Sequence, residues 1–391
     1  MQFPVFEAEG HATRPAPAQA STDGGWQARA AALAEQFAAN AARHDSDDSF
    51  VADNYATLKQ QGFFKAHVPQ ELGGGGASYR EMCDVIRTLA QGCGSTALAF
   101  AMHTHPVALA VWRLQNENAP TQGLLKRIAT EDLVLLTSGG SDWLTGTGKA
   151  IRVDGGYRVS GRKIFASGSP AGDLMMTGAV YDDPETGPTV LHFGLPMKSD
   201  GVRILDTWRV MGMRGTASND VELDQVFIPD AAISGRRPQG KWHPLFHMIS
   251  MLAFPIVYSA YLGVAEGARA IALDRARRRA GDETMAYQVG EMENEFATAE
   301  MAVAGMIGIA QTHKPSPETT NAIFIRRTLA AQAAIRTVEC AMEVAGGSAM
   351  YRELGLERAF RDVQGARYHA LREKAQARFT GRMALGLDID G

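Results

Sequence analysis

An all-β stretch set between two helical halves constrains this chain more than any other feature of its sequence. From Trp26 to about Leu114 apolar residues recur at three-and-four spacing, as amphipathic helices require. From about Glu131 to Pro229 short β-rich runs alternate with Gly, Pro and Asp turns. From Trp242 onward the helical spacing returns and persists. Few soluble architectures place an all-β insert between two all-α halves. The expected fold is therefore α+β and multidomain: a mobile tail over 1–24, an N-terminal helical domain over 25–130, a small β-barrel over 131–240 and a C-terminal helical bundle over 241–391. At 391 residues the chain exceeds what one hydrophobic core usually serves, which also calls for more than one domain.

Within this frame Ser78 is expected to cap a helix over Tyr79–Ala90, and a second helix over Ser95–Leu114 carries His103 and His105. These two histidines lie two apart, so they point to different sides of a helix, and His103 is the one expected in a substrate pocket. The run Gly73–Gly76 lacks the Lys-Ser/Thr pair of a phosphate loop and reads as a flexible turn. Gly346-Gly347 ends a long helix from about Asn321.

A net charge of −4 supplies no general attraction for nucleic acid or anionic membranes, and the one dense basic run, Arg275–Arg279, reads as a solvated helix face. The first twenty-odd residues hold neither a signal peptide nor an apolar span, so no membrane partner is expected. Three scattered cysteines, Cys83, Cys93 and Cys340, form no disulfide or zinc pattern and fit a reducing cytoplasm. No metal site is expected.

Several separated segments then recur in a familiar order. They are Thr137-Ser138-Gly139-Gly140-Ser141-Asp142, Gly161-Arg-Lys-Ile-Phe165-Ala-Ser167, Met213-Arg214-Gly215-Thr216, Arg277 with Gly281 and Tyr287-Gln288, Ala345-Gly346-Gly347-Ser348, and Leu356-Glu-Arg-Ala-Phe-Arg-Asp362. Taken alone, Ser167 is an ordinary strand-end hydroxyl and Gly346-Gly347 a helix cap. Together, the segments resemble acyl-CoA dehydrogenases over most of the chain from about Phe50. The resemblance implies a flavin, FAD or FMN, with Phe165 flanking the ring and Ser167 at its N5 edge. It implies that Thr137 and Ser141 lie in a cofactor loop, and that Arg277, Gln288, Gly346 and Gly347 grip the cofactor of a neighbouring subunit in a homotetramer.

The catalytic base of that family is missing. Dehydrogenating an acyl thioester needs a carboxylate to take the α-proton. Eight positions past Asp362 stands Ala370, and ten before Gly263 stands Ala253, with Phe254 beside it. Phe254 and Ala370 are thus expected to line a substrate pocket without a base. Glu373 is the nearest carboxylate that a relocated base could use. His369, next to Ala370, together with Ser167 resembles the reduced-flavin monooxygenases that share the fold, in which a histidine and a serine surround the flavin's reactive oxygen adduct. The expected activity is oxygenation of a small organic substrate, with His369 and Ser167 as catalytic residues and a separate flavin reductase or other electron-transfer partner. The alternatives are an acyl-CoA dehydrogenase with a relocated base and a non-catalytic binding protein.

Overall fold

The computed structural model describes residues 25–138, 140–279 and 281–391. The expected tail over 1–24 lies outside them. The N-terminal helices are α1 (Trp26–Ser46), α2 (Ala52–Gln60), α3 (Tyr79–Gly92), α4 (Gly94–Glu117) and α5 (Gln122–Glu131). Ser78 caps α3 as expected: its hydroxyl accepts from Glu81 N–H at 3.2 Å, while the Glu81 carboxylate accepts from Ser78 N–H at 2.8 Å. Met82, Val85, Ile86 and Leu89 then fall on the buried face of α3.

The glycine run before it is not a flexible turn. The amides of Gly74, Gly75, Gly76 and Ala77 all donate to backbone carbonyls of residues 65–69. A Cβ on Gly74 would lie 2.1 Å from the Val68 carbonyl oxygen, and one on Gly75 2.3 Å from the Trp26 ring. These glycines are there because nothing larger fits between the segment and its neighbours.

Strands β1 (Leu135–Thr137), β2 (Lys149–Val153), β3 (Gly156–Ala166), β4 (Leu174–Asp183), β5 (Gly187–Pro196), β6 (Val202–Ile204), β7 (Asn219–Pro229) and β8 (Ile233–Pro238) form one mixed sheet. Its order is β6-β7-β3-β2-β4-β5-β8, with β1 parallel to β4. The sheet wraps around one apolar interior that includes Val159, Met175, Leu191, Phe193, Leu223 and Val226. Its end strands β6 and β8 are not paired with each other, so the expected barrel is an open one. β8 was not evident in the sequence, because Ser-Gly-Arg-Arg-Pro carries almost no β-forming residues.

The C-terminal domain consists of α6 (Pro244–Arg277), α7 (Glu283–Thr312), α8 (Pro317–Ala345), α9 (Leu356–Val363) and α10 (Glu373–Ala384). α6 runs through Pro255 and begins well before the Leu262 start read from the sequence. It is long and apolar enough to cross a membrane, but 94% of its apolar stretch is buried inside the fold. It is the core helix, apolar on every side because α3, α4, α7 and α8 all pack on it.

Gly74→Ala is expected to destabilise the protein by about 1–3 kcal/mol through overpacking, read as a lower urea midpoint. Gly123→Ala, near the start of α5 where an added Cβ meets nothing, should change the midpoint little. Equal effects from the two substitutions would show that the glycine run is not tightly packed.

Candidate active site

The β-domain contributes an aromatic face and a chain of hydroxyls. In β3 the register with β7 slips between Lys163 and Ala166, and within that irregularity Phe165 adopts φ +59°. A left-handed backbone is costly for a bulky residue and persists where the surroundings impose it. Its result is to turn the Phe165 ring outward, 47% exposed, edge-on to Trp208 at 5.9 Å between centroids.

Two residues on, Ser167 is buried with Oγ 2.8 Å from Ser218 Oγ. Ser218 Oγ lies 2.7 Å from Thr216 Oγ1, which donates to the Met213 carbonyl at 2.8 Å. A carbonyl only accepts, so the chain has one direction: Ser167 donates to Ser218, and Ser218 to Thr216. Ser167 therefore offers a lone pair, not a proton, to anything placed beside it.

Lys163, fully buried, fastens the loop that follows β1. Its Nζ donates to Asp142 Oδ2 at 3.0 Å, to the Thr147 carbonyl at 2.6 Å and to the Gly178 carbonyl at 2.5 Å. That loop carries Gly140, where an added Cβ would come 3.3 Å from Ala370 Cβ, and Trp143, whose ring lies 6.1 Å from Phe254. Thr137 ends β1, partly buried opposite Met176. The Ser141 side chain lies outside the described residues.

The bundle brings His369, Ala370 and Phe254 to this loop. Phe254 is buried on α6, 6.3 Å from Tyr258 and 5.4 Å from Phe324 between ring centroids. Ala253 and Ala370 leave both expected base positions without a carboxylate. Glu373, the nearest carboxylate, has Oε1 3.5 Å from Arg367 Nη1 as an ion pair, and that oxygen is buried without a hydrogen-bond partner among the described residues. His369 Nε2 is 2.7 Å from Tyr261 Oη, and burial with the nearby Arg327 cation pushes its imidazole down to about 3.

His103 is not in the pocket. Its Nδ1 accepts from Leu135 N–H at 2.9 Å and its Nε2 faces the Phe64 carbonyl at 2.7 Å. Both ring nitrogens are thus spent in tying α4 to β1 and to the segment after α2. Its neighbour His105 faces the other way, with a buried Nδ1 that has no protein partner. Burial, with His103 and His369 nearby, pushes His105 down to about 3. The spacing of the pair correctly indicated opposite faces, but the choice between them depended on where β1 docks.

The two halves of the site are joined through α9. The Asp362 carboxylate accepts from Met213 N–H, and Arg361 donates to the Met211 carbonyl at 2.9 Å. Arg277, Gln288, Gly346 and Gly347 stand apart from this centre. Arg277 lies 23 residues beyond Phe254 on the same helix, on the order of 35 Å along its axis. Because α6, α7 and α8 alternate in direction, the end of α6, the start of α7 and the end of α8 meet at one end of the bundle. There Arg278 and Arg279 pair with Asp274 and Asp282, while Arg277 is exposed with no carboxylate partner among the described residues. Gly346 takes φ +61°, and added Cβ atoms on Gly346 and Gly347 would meet nothing.

Two concavities elsewhere do not coincide with Phe165, Ser167 or His369. One of about 200 Å³ lies between Trp242, Leu371, Phe379 and Arg382, and one of about 50 Å³ beside Gly92 and Asp362. The face formed by Phe165 is open rather than enclosed. An exposed aromatic pair, an acceptor hydroxyl and, beside Gly168, the buried Tyr55 Oη, unpartnered among the described residues, fit a flat, hydrogen-bonding ring system such as a flavin.

Comparison with known proteins places this arrangement. The chain matches the acyl-CoA dehydrogenase N-terminal domain over residues 26–132, the middle domain over 137–226 and the C-terminal domain over 256–374. It is 27% identical to a putative acyl-CoA dehydrogenase of Bacillus subtilis, covering 87% of this chain and 91% of that protein. It is 26% identical to a pigment production hydroxylase of a Rhodococcus species, covering 92% and 96%. To the oxygenase component of an FADH2-dependent resorcinol hydroxylase from a Rhizobium species it is 29% identical, covering 74% and 71%. Among solved structures, KijD3 in complex with FMN and a dTDP-linked amino sugar superposes with a TM-score of 0.85 at 23% identity, covering 94% of both chains.

Replacing His103 by Leu leaves Leu135 N–H and the Phe64 carbonyl without their partner, at a cost of about 1–3 kcal/mol. The three imidazoles of His103, His105 and His369 are depressed to about 4, 3 and 3 in the fold, against an ordinary value of 6.5. Between pH 6.5 and about 4 the unfolded chain therefore binds more protons, and stability falls as pH falls. The expected outcome is a urea midpoint that drops from pH 7 to pH 5, with a shallower drop in His103→Leu. A midpoint equally pH-sensitive in both proteins would mean that His103 titrates freely in the fold.

Proposed function

The chain belongs to the acyl-CoA dehydrogenase family, and from that premise we propose that it is a reduced-flavin-dependent monooxygenase acting on a small organic substrate. The observation that carries this reading is His369, held by Tyr261 Oη at 2.7 Å, in a site whose two base positions are Ala253 and Ala370. Removing an acyl α-proton needs a base of carboxylate type held against it, and neither Ala253 nor Ala370 supplies one.

Bound reduced flavin supplies two electrons and the activation of dioxygen. The chain's own residues supply the rest. Phe165 and Trp208 offer an apolar face for the ring. Ser167, its proton committed to Ser218, accepts a hydrogen bond, which matches the N–H that reduced flavin carries at N5. Tyr258, backed by Phe254 and Trp143, sets aromatic rings beside His369. The neutral imidazoles of His105 and His369 would hydrogen-bond to the substrate and to the oxygen being transferred.

FMN or FAD serves as the flavin. A structural neighbour solved in complex with FMN and a relative named as FADH2-dependent support both. The oxygenase-component name of the resorcinol relative supports a separate reductase as electron source. Arg277, Gln288, Gly346 and Gly347 are assigned to the cofactor of a neighbouring subunit in a homotetramer. The buried, unpaired cysteines suit the reducing cytoplasm in which we place the enzyme.

The test supplies the full chain with reduced FMN or FADH2 from a flavin reductase under ¹⁸O₂, with phenols and aromatic sulfides as substrates. One labelled oxygen atom is expected in the product, and His369→Ala and His105→Ala should each lower the rate by about 100-fold or more. Absence of label, together with bleaching of bound flavin by an acyl-CoA, would overturn the reading.

A further inference from the structure

We infer that Tyr261 locks His369 as its Nδ1–H tautomer, making His369 a fixed hydrogen-bond donor and leaving His105 as the imidazole with a free hydrogen-bond acceptor. The first half concerns this chain's own side chains. The division of roles rests on the monooxygenase reading above.

The tautomer follows from counting donors and acceptors. Tyr261 Oη has one side-chain partner among the described residues, His369 Nε2 at 2.7 Å. Tyr261 is buried at 1% exposure, and burial raises its hydroxyl well above the usual phenol range, so the proton stays on oxygen. If that proton goes to Nε2, both groups are satisfied. If Nε2 carries the proton instead, the tyrosine hydroxyl is left buried with no acceptor among the described residues, which is unfavourable. The first arrangement wins, and Nδ1, which has no protein partner among the described residues, then carries the N–H.

The ring cannot escape this by swinging away, because its backbone is held from behind. Arg327, fully buried on α8, donates to the His369 carbonyl at 2.7 Å and approaches the Ala366 carbonyl at 3.5 Å. Tyr258 Oη donates to the same Ala366 carbonyl at 2.6 Å, and the Arg327 guanidinium lies 5.5 Å from the Tyr258 ring centroid. Arg327 has no carboxylate partner among the described residues and its Nε is unpartnered. An uncompensated buried cation beside an imidazole opposes a second positive charge there.

The other titratable groups around His369 do not reverse this. From α4, His105 is itself neutral. From α6, Tyr258 and Tyr261 keep their protons. Glu373, at the start of α10, is paired with Arg367. Asp362 on α9 is spent on Met213 N–H. His369 is therefore a donor throughout the neutral range. His105, whose buried Nδ1 faces no protein group, retains the free lone pair.

Tyr261 and Arg327 are positioning residues, and the test reads the tautomer directly. The ¹⁵N NMR shifts of histidine-labelled full chain, free of flavin and substrate, distinguish Nδ1–H from Nε2–H, with His369 assigned by difference against His369→Gln. The expected result is an Nδ1–H imidazole that does not titrate between pH 5 and pH 8.5. Tyr261→Phe should give a mixed or reversed tautomer and a fall in kcat with little change in KM. Arg327→Lys, which keeps the cation, should retain the wild-type tautomer, while Arg327→Gln should let His369 begin to titrate at a higher pH. An Nε2–H signal, or titration near pH 6.5, in the wild-type protein would overturn the inference even if Tyr261→Phe fails to fold. Because the spectrum needs no flavin, it stands or falls separately from the oxygen-insertion test.

Discussion

The contact on which this molecule most depends is the hydrogen bond from Met213 N–H to the buried carboxylate of Asp362. It joins the β-domain to the bundle at a point where the N-terminal helices also converge. Met213 takes a left-handed backbone conformation, as does Ala217, and the turn between them inserts Gly215 where a Cβ would lie 2.9 Å from Val51 and 3.1 Å from Ser95. Arg214 reaches the Asp45 carbonyl at the end of α1, and Arg361 pairs with the Asp45 carboxylate at 2.5 Å. Three domains thus meet in a few residues. Burial raises Asp362 to about 6, so its ionised form is less favourable in the fold than in water, and the Met213 amide offsets part of that cost. The junction fixes where the hydroxyl chain from Ser167 lies relative to His369.

Much of this was legible in the sequence, for reasons that differ from place to place. The helix, strand, helix order is carried by periodicity, which burial enforces over long segments. Phe165 and Ser167 stood out through family resemblance, and the structure adds what resemblance lacked: a bulge that turns the phenyl ring outward, and a direction for the hydroxyl chain. The Met213–Thr216 segment was read as a mark of the family. What it does here is hold domains together, which no local pattern of residues reveals.

The misses share a physical cause, since each depends on a partner distant in the chain. His103 and His105 are equivalent by helical geometry; only the docking of Leu135 against α4 assigns one to structure and frees the other. The glycine run reads as a loose turn until Val68 and Trp26 are placed against it. β8 has poor intrinsic preference and exists because β5 offers it an edge. Tyr261 and Arg327 carry no motif at all, and their importance emerges only when α6, α8 and the segment after α9 come together around His369.

The missing carboxylates and the neutral imidazoles are two sides of one electrostatic arrangement. A Glu at position 370 would stand one residue from His369, whose carbonyl accepts from the buried guanidinium of Arg327. Such a carboxylate would compensate the cation and favour the protonated imidazole, because an opposite charge at close range stabilises the charged form. With Ala370 in that place, burial first and the Arg327 charge second keep His369 neutral. The alanine therefore does more than remove a base: it adds no negative charge beside an imidazole that burial and Arg327 hold neutral, and a site so arranged suits chemistry that needs a neutral donor and a neutral acceptor rather than a strong anionic base.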